Sequence, residues 1–181
     1  MKQVFEQALG AAWPRLPEIT RRIHTVDPSI TLGGEAQVEG AENAAGRWIA
    51  RIFGLPEAAG NVPVKVVIES DGEAEHWARH YPTRTLRSVM TAADPARSTV
   101  EEWMGPLRFR LKLVGSSEGI DLVPQAVSFR GLPLPLWFLP KIMATERASP
   151  DGRHLFDVHV SLWPFGRLVH YRGWLRPVAA T

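Results

Sequence analysis

Apolar and polar side chains alternate one for one along most of the chain after residue 60. In residues 155–162, Phe156, Val158 and Val160 alternate with polar side chains. Successive side chains of a β-strand project from opposite faces of the sheet, so this period of two predicts a strand with one buried face. A turn at residues 164–166 leads into a second alternating run. The sequence therefore predicts an antiparallel hairpin near the carboxyl end of the chain.

The same alternation predicts an antiparallel sheet of about eight to ten strands. Asp71 and Gly72 form a dipeptide that favours a tight turn, so the strand before them is expected to pair with the strand after them. Further strands are predicted at residues 62–68, 75–80, 85–91, 99–104, 107–114, 120–129 and 142–147. Because exposed strand edges promote aggregation, a sheet of this size is expected to curve into a barrel-like shape.

Helical spacing of apolar residues is found only in the first part of the chain. Pro14 ends the first predicted helix, and Pro17 begins the second, where a missing N–H costs nothing. A third helix is predicted between Asn43, a good N-cap residue, and Gly54, which suits a left-handed position after the helix. Its apolar stripe, which we expect to face the sheet, consists of Ala45, Trp48, Ile49, Ile52 and Phe53.

We therefore expect an α+β fold: a strongly curved, barrel-like antiparallel β-sheet with the N-terminal helices and one further helix packed against it. The length and composition are those of one globular domain over residues 1–181. Cysteine is absent, which excludes disulfides, thiolate metal sites and thiol catalysis. No apolar run is long enough for a membrane span, and the first residues lack a secretion signal, so we expect a cytoplasmic protein.

The charge pattern argues against a nucleic-acid partner. The net charge is only +2, and Arg108, Arg110 and Lys112 alternate with apolar residues. These three side chains are therefore expected to form the solvent face of one strand, since a nucleic-acid site needs a broader basic surface. No motif for a phosphate, a nucleotide or another cofactor is present, so we expect no cofactor.

The strand that follows the predicted turn at Asp71 carries charged side chains among apolar ones. A two-residue turn sets Glu75, Trp77 and Arg79 on the apolar face of the sheet, whereas a three-residue turn reverses the parity and exposes all three. Isolated charges on the apolar face are costly unless they are paired. An inward carboxylate, indole and guanidinium are groups that a binding cavity would use. The sequence leaves both arrangements open.

The carboxyl-terminal hairpin brings a second set of polar side chains together. A four-residue connection pairs Asp157 with Arg172 and His159 with His170 across the two strands. The set is either a surface ion pair or, if it lies in a cleft, a candidate acid–base site. We expect Arg172 to be partly buried and paired with Asp157, because neighbouring aromatic residues lower the local dielectric constant.

Other pairs of polar residues give no strong motif. His76 and His80 have ligand-like spacing, but on a strand they stand about 13 Å apart, so no metal site is expected. Glu101 and Glu102 are adjacent and point to opposite faces of a strand, so they do not form a paired-carboxylate site.

Several segments together resemble a family of uncharacterised bacterial proteins, that of domain of unknown function 4166. The segments that carry the resemblance are Leu32-Gly-Gly-Glu-Ala-Gln-Val, Gly54-Leu-Pro, Glu75-His-Trp-Ala-Arg, Gly105-Pro-Leu-Arg-Phe-Arg-Leu, Gly131-Leu-Pro-Leu-Pro, Phe156-Asp-Val and Leu168-Val-His-Tyr-Arg-Gly-Trp-Leu. The resemblance implies a domain that stands alone or follows a nucleotide-dependent oxidoreductase part in a longer chain. The 181 residues contain no such part, so a coupled oxidoreductase is expected to be a separate protein. The resemblance supplies no catalytic residues.

Three functional hypotheses follow from these patterns. The first is a non-enzymatic domain that binds a small hydrophobic ligand in an apolar pocket inside the curved sheet. Its candidate binding residues are Glu75, Trp77, Arg79, Trp103, Trp137, Phe138, His170 and Arg172. The second is an enzyme of lyase, isomerase or cyclase type that uses the same pocket, with Glu75, His76 or His170 as its titratable residue. The third is a protein-interaction domain.

The interaction hypothesis depends on the proline-rich apolar segment from Leu132 to Leu139. Its prolines cannot donate to a central strand ladder, so the segment is expected to be an extended strand that crosses one end of the core. A lid over an apolar cavity, or a surface for a protein partner or a homodimer, remains open as an alternative.

Overall fold

In the computed structural model, which describes residues 3–135 and 140–178, ten antiparallel strands close into a barrel. Each strand pairs with its neighbours around the ring, and the pairing of β1 with β11 and of β6 with β7 completes the closure. Closure satisfies the backbone groups that an open sheet would leave at its edges. The predicted α+β class and the barrel-like antiparallel sheet are confirmed.

The strands alternate in direction around the ring. Their bounds are β1 Ser29–Glu39, β2 Ala59–Ser70, β3 Ala74–Tyr81, β4 Arg84–Asp94, β5 Thr99–Met104, β6 Leu107–Gly115, β7 Gly119–Phe129, β9 Lys141–Ala148, β10 His154–Leu162 and β11 Gly166–Pro177. A two-residue strand, β8 (Leu132–Pro133), pairs with the end of β7 outside the ring.

Short helices lie at both ends of the barrel. Helices α1 (Val4–Leu9) and α2 (Glu18–Ile23) cover one end, where α1 packs on β4, β5 and β6 and α2 packs on β9. Helix α3 (Ala44–Ile52) lies at the opposite end, together with the turns that join β3 to β4 and β10 to β11. We call these the α1 end and the α3 end. Most of α1 is apolar and buried, so it acts as a plug for the barrel.

The caps predicted for α3 are confirmed. Asn43 accepts a hydrogen bond from the backbone N–H of Gly46 at 2.8 Å, and Gly54 has φ +66°. The side-chain amide of Asn43 also donates to the carbonyl of Phe165 at 2.9 Å. At the other end of α3, Arg84 donates to the carbonyl of Arg51 at 3.3 Å. Helix α3 therefore spans from the β10–β11 turn to the β3–β4 turn.

The predicted buried face of α3 is partly wrong. Gly46 and Ala50 are buried and Ile49 is half-buried, whereas Trp48 and Ile52 are exposed. The small residues allow the helix backbone to lie close to the β10–β11 turn, because a Cβ on Gly46 would stand 3.4 Å from the carbonyl oxygen of Phe165. Close approach through small residues turns the larger apolar side chains toward solvent.

No helix among the described residues is both long and apolar enough to cross a membrane.

Candidate functional site

The barrel encloses an apolar cavity of about 220 Å³. The cavity extends from Phe5 and Ile23 at the α1 end to Phe53 and Leu55 at the α3 end. Inward side chains of the strands form the rest of its wall, among them Val64, Val66, Leu86, Met90, Leu111 and Ile142. An interior space that can hold one water needs only about 10–15 Å³, so this cavity is far larger than a packing defect.

The cavity wall differs between the two ends of the barrel. Phe5 and Trp77, near the α1 end, are buried, whereas Met104, Leu107 and Ile142, near the α3 end, are only partly buried, although other wall residues at that end are buried. The α1 end is plugged by helices, so a molecule that enters the cavity would pass the α3 end.

Strand β3 places Glu75, Trp77 and Arg79 inside the barrel, which is the first of the two arrangements that the sequence left open. Glu75 and Trp77 are buried, with Glu75 at 0% exposure, and Trp77 and Arg79 line the cavity. The last paired residues of β2 and β3, Ser70 and Glu75, are separated by four residues. Because this number is even, the same side chains of β3 face inward as with a two-residue turn. The pairing of β3 with β2 is shifted by two residues, so that Trp77 pairs with Ile68.

The carboxylate of Asp71 fixes this turn. Its Oδ1 accepts hydrogen bonds from the backbone N–H groups of Glu73 at 2.9 Å and Ala74 at 2.8 Å. These two bonds, followed by one with His76, lower the pKa of Asp71 to about 2. The turn therefore holds the start of β3, and with it Glu75, in one register.

A polar group crosses the middle of the cavity wall. Arg79 donates from Nη1 to Ser88 Oγ at 2.9 Å, and its Nη2 lies 3.5 Å from Glu102 Oε1. The guanidinium also lies over the Trp77 ring, 4.8 Å from its centroid. Inward alternation on β5 brings Glu102 to this position, while Glu101 projects outward and pairs with Arg110. The predicted separation of the two glutamates is thus correct, but Glu102 lies in the site.

A second polar group lies at the base of the cavity, beneath the helices of the α1 end. Glu146 Oε2 lies 2.7 Å from His24 Nε2 and 3.6 Å from His154 Nε2. Phe5 stacks on the His24 ring with a centroid distance of 3.7 Å. Both histidines are buried, and His154 and Glu146 line the cavity. We call His24, Glu75, Glu146 and His154 the basal cluster.

Burial and charge set the protonation of the basal cluster. Burial favours a higher pKa for Glu146, but the charge and hydrogen bond of His24, aided by His154 and Arg79, outweigh it and lower the pKa to about 2. Burial lowers the pKa of His154 to about 4, although Glu146 opposes this shift. At neutral pH, Glu146 is therefore ionised and His154 is neutral.

Glu75 is in a different environment from Glu146. Burial raises its pKa, opposed by His24, by the Trp77 indole and by the backbone N–H of Val4. The indole donates to Glu75 Oε2 at 3.2 Å. Two carboxyl groups of the basal cluster are thus shifted in opposite directions, which is a pattern found where proton transfer is carried out.

Several buried polar atoms of the basal cluster lack a hydrogen-bond partner among the described residues. They are Nδ1 of His24, Nδ1 of His154 and Oε1 of Glu75. Buried polar groups are normally paired, and of these residues His154 lines the cavity, so its Nδ1 marks a place where a bound molecule can supply the missing bond.

Two tyrosines complete the wall of the cavity. Tyr81 and Tyr171 are in edge contact, with ring centroids 6.2 Å apart, and both line the cavity. Burial raises the pKa of Tyr171 to about 12 and also raises that of Tyr81. Both phenols therefore remain hydrogen-bond donors at neutral pH.

Three of the predicted binding residues lie outside the cavity. Trp103, His170 and Arg172 project from the outer face of the barrel, because their strands place Glu102 and Tyr171 inside and the neighbouring positions outside. The enzyme hypothesis loses His170 for this reason, and also His76, whose side chain is exposed. Trp137 and Phe138 lie outside the described residues, as does the second half of the segment from Leu132 to Leu139, while Leu132 is exposed.

The expectation for Arg172 is wrong in burial and in partner. The predicted register is confirmed, since Asp157 pairs with Arg172 and His159 pairs with His170. Arg172 is nevertheless exposed and donates to Gln37 on β1 at 3.3 Å. Asp157 instead contacts His170, at 3.0 Å. The sequence did not show that β1 would lie beside β11 and offer a closer acceptor.

No set of three or more histidine, aspartate or glutamate side chains within the described residues has a geometry suited to a metal ion. His76 and His80 are placed on one strand, as the sequence predicts.

Four residues of the two polar groups were not identified from the sequence: His24, Glu102, Glu146 and His154. Three of them carry a usable signal. Glu102 continues the inward alternation of Val100 on β5. Glu146 continues the inward alternation of Ile142 and Ala144 on β9, and His154 continues that of Phe156 on β10. His24 follows the last residue of α2 and has no such periodicity.

Comparisons with known proteins agree with the sequence resemblance. Neither curated proteins nor solved structures gave a match to the chain. The family described as Domain of unknown function (DUF4166) matches residues 16–175, which include all the strands of the barrel except the final residues of β11. The chain therefore belongs to the family of domain of unknown function 4166.

Proposed function

We propose that the barrel binds a small, uncharged and mostly apolar molecule in its interior. The observation that carries this proposal is the apolar cavity of about 220 Å³, which has Glu146 and His154 of the basal cluster in its lining. Ligand sites are typically concave and apolar, with a few polar groups that fix orientation. Protein interiors are close-packed and contain few voids larger than a water molecule, so a space of this size is unusual.

The cavity volume sets the scale of the ligand. An engineered apolar cavity of about 150 Å³ takes up benzene. A cavity of about 220 Å³ is therefore suited to a molecule with one or two rings, or to a short branched chain. The basal cluster and Tyr171 offer hydrogen bonds to a single hydroxyl or carbonyl group of such a molecule.

The charge pattern favours an uncharged ligand. Arg79 already has Glu102 as its partner, and Glu146 already has His24. A bound carboxylate or ammonium would have to displace one of these partners and leave a charge unpaired in an apolar space, which is costly. An uncharged molecule avoids that cost.

Binding can be tested by calorimetry with 1-naphthol as the uncharged probe and 1-naphthoate as its charged counterpart. We expect 1-naphthol to bind with a negative heat-capacity change, and 1-naphthoate to bind at least about tenfold more weakly. Ala144→Phe fills the cavity from β9 and is expected to abolish binding. Ala126→Phe adds the same side chain at an exposed position of β7 and should leave binding unchanged.

Two results would contradict the proposal. One is the absence of heat and of a bound species in native mass spectrometry for every apolar probe. The other is equal binding by Ala144→Phe and Ala126→Phe, with both variants folded by circular dichroism, because the probe would then lie outside the barrel.

A second candidate function is proton-transfer catalysis in the same cavity, as in an isomerase or a lyase. It is favoured by the neutral His154, whose Nδ1 is unpaired among the described residues and can accept a proton, and by Tyr81 and Tyr171 in the same cavity, whose phenols can donate one. A base with a pKa of about 4 is weak at neutral pH, which is why binding ranks first.

Deuterium exchange tests this second candidate. 1-Indanone is uncharged, fits the size of the cavity and has exchangeable protons next to its carbonyl group. In deuterium oxide, a proton-transferring site would exchange these protons faster than buffer alone, and His154→Gln would remove the acceleration. Exchange at the buffer rate with wild-type protein would exclude this chemistry for a bound ketone.

A further inference from the structure

The most exposed large apolar side chains of the described residues are concentrated at the α3 end. Trp48 is 67% exposed on α3, Trp163 is 69% exposed in the β10–β11 turn, and Leu132 is 72% exposed on β8. Ile52 on α3 and Met143 near the start of β9 are also more than half exposed. We call these five residues the α3-end rim. At the α1 end, the exposed large apolar residues are Val114, Leu155 and Val178, all aliphatic and less exposed.

The apolar face of α3 has no partner among the described residues. The helix contacts the barrel through Gly46, Ile49 and Ala50, while Trp48 and Ile52, one turn apart, face away from it. A surface-lying helix normally turns its large apolar side chains toward the core. Here the large residues face solvent, although the sequence pattern predicts that they are buried.

Basic side chains lie among the residues of the rim. Arg47 is adjacent to Trp48, Arg130 precedes β8, and Lys141 begins β9. Within the described part of the chain, none of these three forms an ion pair. Arg51 is paired only loosely, since its Nε lies 3.9 Å from Glu57 and its side chain is 71% exposed.

We propose that the α3-end rim docks the barrel onto the surface of a membrane that contains anionic phospholipids. Tryptophan side chains are favoured at the boundary between headgroups and acyl chains, where an apolar ring and a polar N–H are both accommodated. Arginine and lysine beside them are attracted to anionic headgroups. The rim thus combines an apolar insertion with a charge complementary to the lipid surface.

A bilayer suits this surface better than a protein partner. The exposed residues lie on four separate elements: helix α3, strand β8, strand β9 and the β10–β11 turn. Separate apolar projections can each insert into a fluid interface, whereas a protein interface requires one closely packed patch.

The docked orientation places the cavity toward the lipid. The half-exposed wall residues Met104, Leu107 and Ile142 lie at the same end as the rim. An apolar molecule dissolved in the bilayer could then enter the barrel without crossing water. Membrane docking goes beyond the proposed binding function, since the rim can attach to lipid whether or not the cavity is occupied.

Vesicle co-sedimentation tests the docking. The full chain is mixed with vesicles of phosphatidylcholine alone, and with vesicles of phosphatidylcholine and phosphatidylglycerol in equal parts. We expect binding to the anionic vesicles that weakens as salt is added, because salt screens the attraction between arginine and headgroup. The double variant Trp48→Gln, Ile52→Gln should bind these vesicles at least about tenfold more weakly, because it lacks two inserted apolar side chains.

Matched variants test whether binding depends on the α3 end itself or on exposed apolar side chains anywhere on the barrel. Arg47→Gln with Arg130→Gln should reduce binding to anionic vesicles and remove most of its salt dependence. Val114→Gln with Leu155→Gln removes two exposed apolar side chains from the outer surface near the α1 end and should leave binding unchanged. All substituted positions are exposed, and circular dichroism and thermal unfolding establish that each variant is folded.

Three results would overturn the proposal. The first is no sedimentation with either kind of vesicle. The second is equal binding by the Trp48 and Ile52 variant and by wild-type protein. The third is a dimer by light scattering that dissociates in this variant without any vesicle binding, because the rim would then join two copies of the chain. Binding of 1-naphthol tests the cavity alone, so its failure would leave the membrane-docking proposal standing.

Discussion

Two histidine–carboxylate clusters in this barrel contain similar groups but lie in opposite environments. In the basal cluster, Glu146 lies between His24 and His154, and both histidines are buried. On the outer face, His170 lies 3.0 Å from Asp157 and 3.8 Å from Glu39. Exposed pairs are screened by solvent and contribute little, whereas a buried charge that loses its partner is strongly destabilising. The comparison shows that environment, more than residue type, makes the basal cluster the candidate site.

The largest difference between the clusters is expected in the free energy of unfolding when the carboxylate charge of each is removed. Glu146→Gln should lower the free energy of unfolding by about 3–5 kcal/mol, because His24 loses its charged partner in a buried position. Asp157→Asn, the matched change on the outer face, should cost at most about 1 kcal/mol. Urea denaturation measures both. Similar losses for the two variants would contradict the contrast.

The second prediction concerns the dependence of stability on pH. The unfolded chain protonates His154 near its ordinary pKa of 6.5, whereas the folded chain does so only at about 4. Between these values the unfolded state binds more protons, so the free energy of unfolding falls as the pH is lowered, by about 3 kcal/mol from this group. Glu146 adds a further loss between its ordinary value of 4.5 and about 2.

Glu75 acts in the opposite direction, because its raised pKa makes acidification stabilising. The contribution of His154 is therefore measured as the difference between wild-type protein and His154→Gln. Urea denaturation at a series of pH values between 7 and 4 should give a flatter profile for the variant. Parallel profiles would show that His154 is protonated equally in the folded and unfolded states.

The smallest effect is expected at Arg172. Its side chain is exposed and, among the described residues, bonds only to Gln37, so Arg172→Ala should change the free energy of unfolding by no more than about 0.5 kcal/mol. Sequence reasoning alone predicts a larger loss, because it places the guanidinium in a partly buried pair with Asp157. Urea denaturation decides between the two. A loss of about 2 kcal/mol or more would restore the buried pair.

The alternation of apolar and polar residues was sufficient to predict the strands after residue 60 and their inward faces, but not the full length of β1. The sequence pattern also allowed two orientations of Glu75, Trp77 and Arg79, and the inward one is correct. The turn length decided between these alternatives, and it depends on the hydrogen bonds of Asp71 to Glu73 and Ala74, which no pattern of hydrophobicity contains.

The basal cluster could not be assembled from the sequence because its members come from distant parts of the chain. His24 and Glu146 are separated by 122 positions and meet only because α2 covers the end of β9. Closure of the barrel through β1 and β11 likewise set the partner of Arg172. Strand faces follow from local periodicity, whereas contacts across the barrel follow from which strands become neighbours.

The most direct test of the binding account is a crystal structure of the protein with 1-naphthol. The account predicts density for the two rings inside the barrel, in contact with Trp77 and Tyr171, with the hydroxyl group within hydrogen-bond distance of the basal cluster or Glu102. Density only on the outer surface, or an interior in which the side chains have closed the cavity of about 220 Å³, would contradict it.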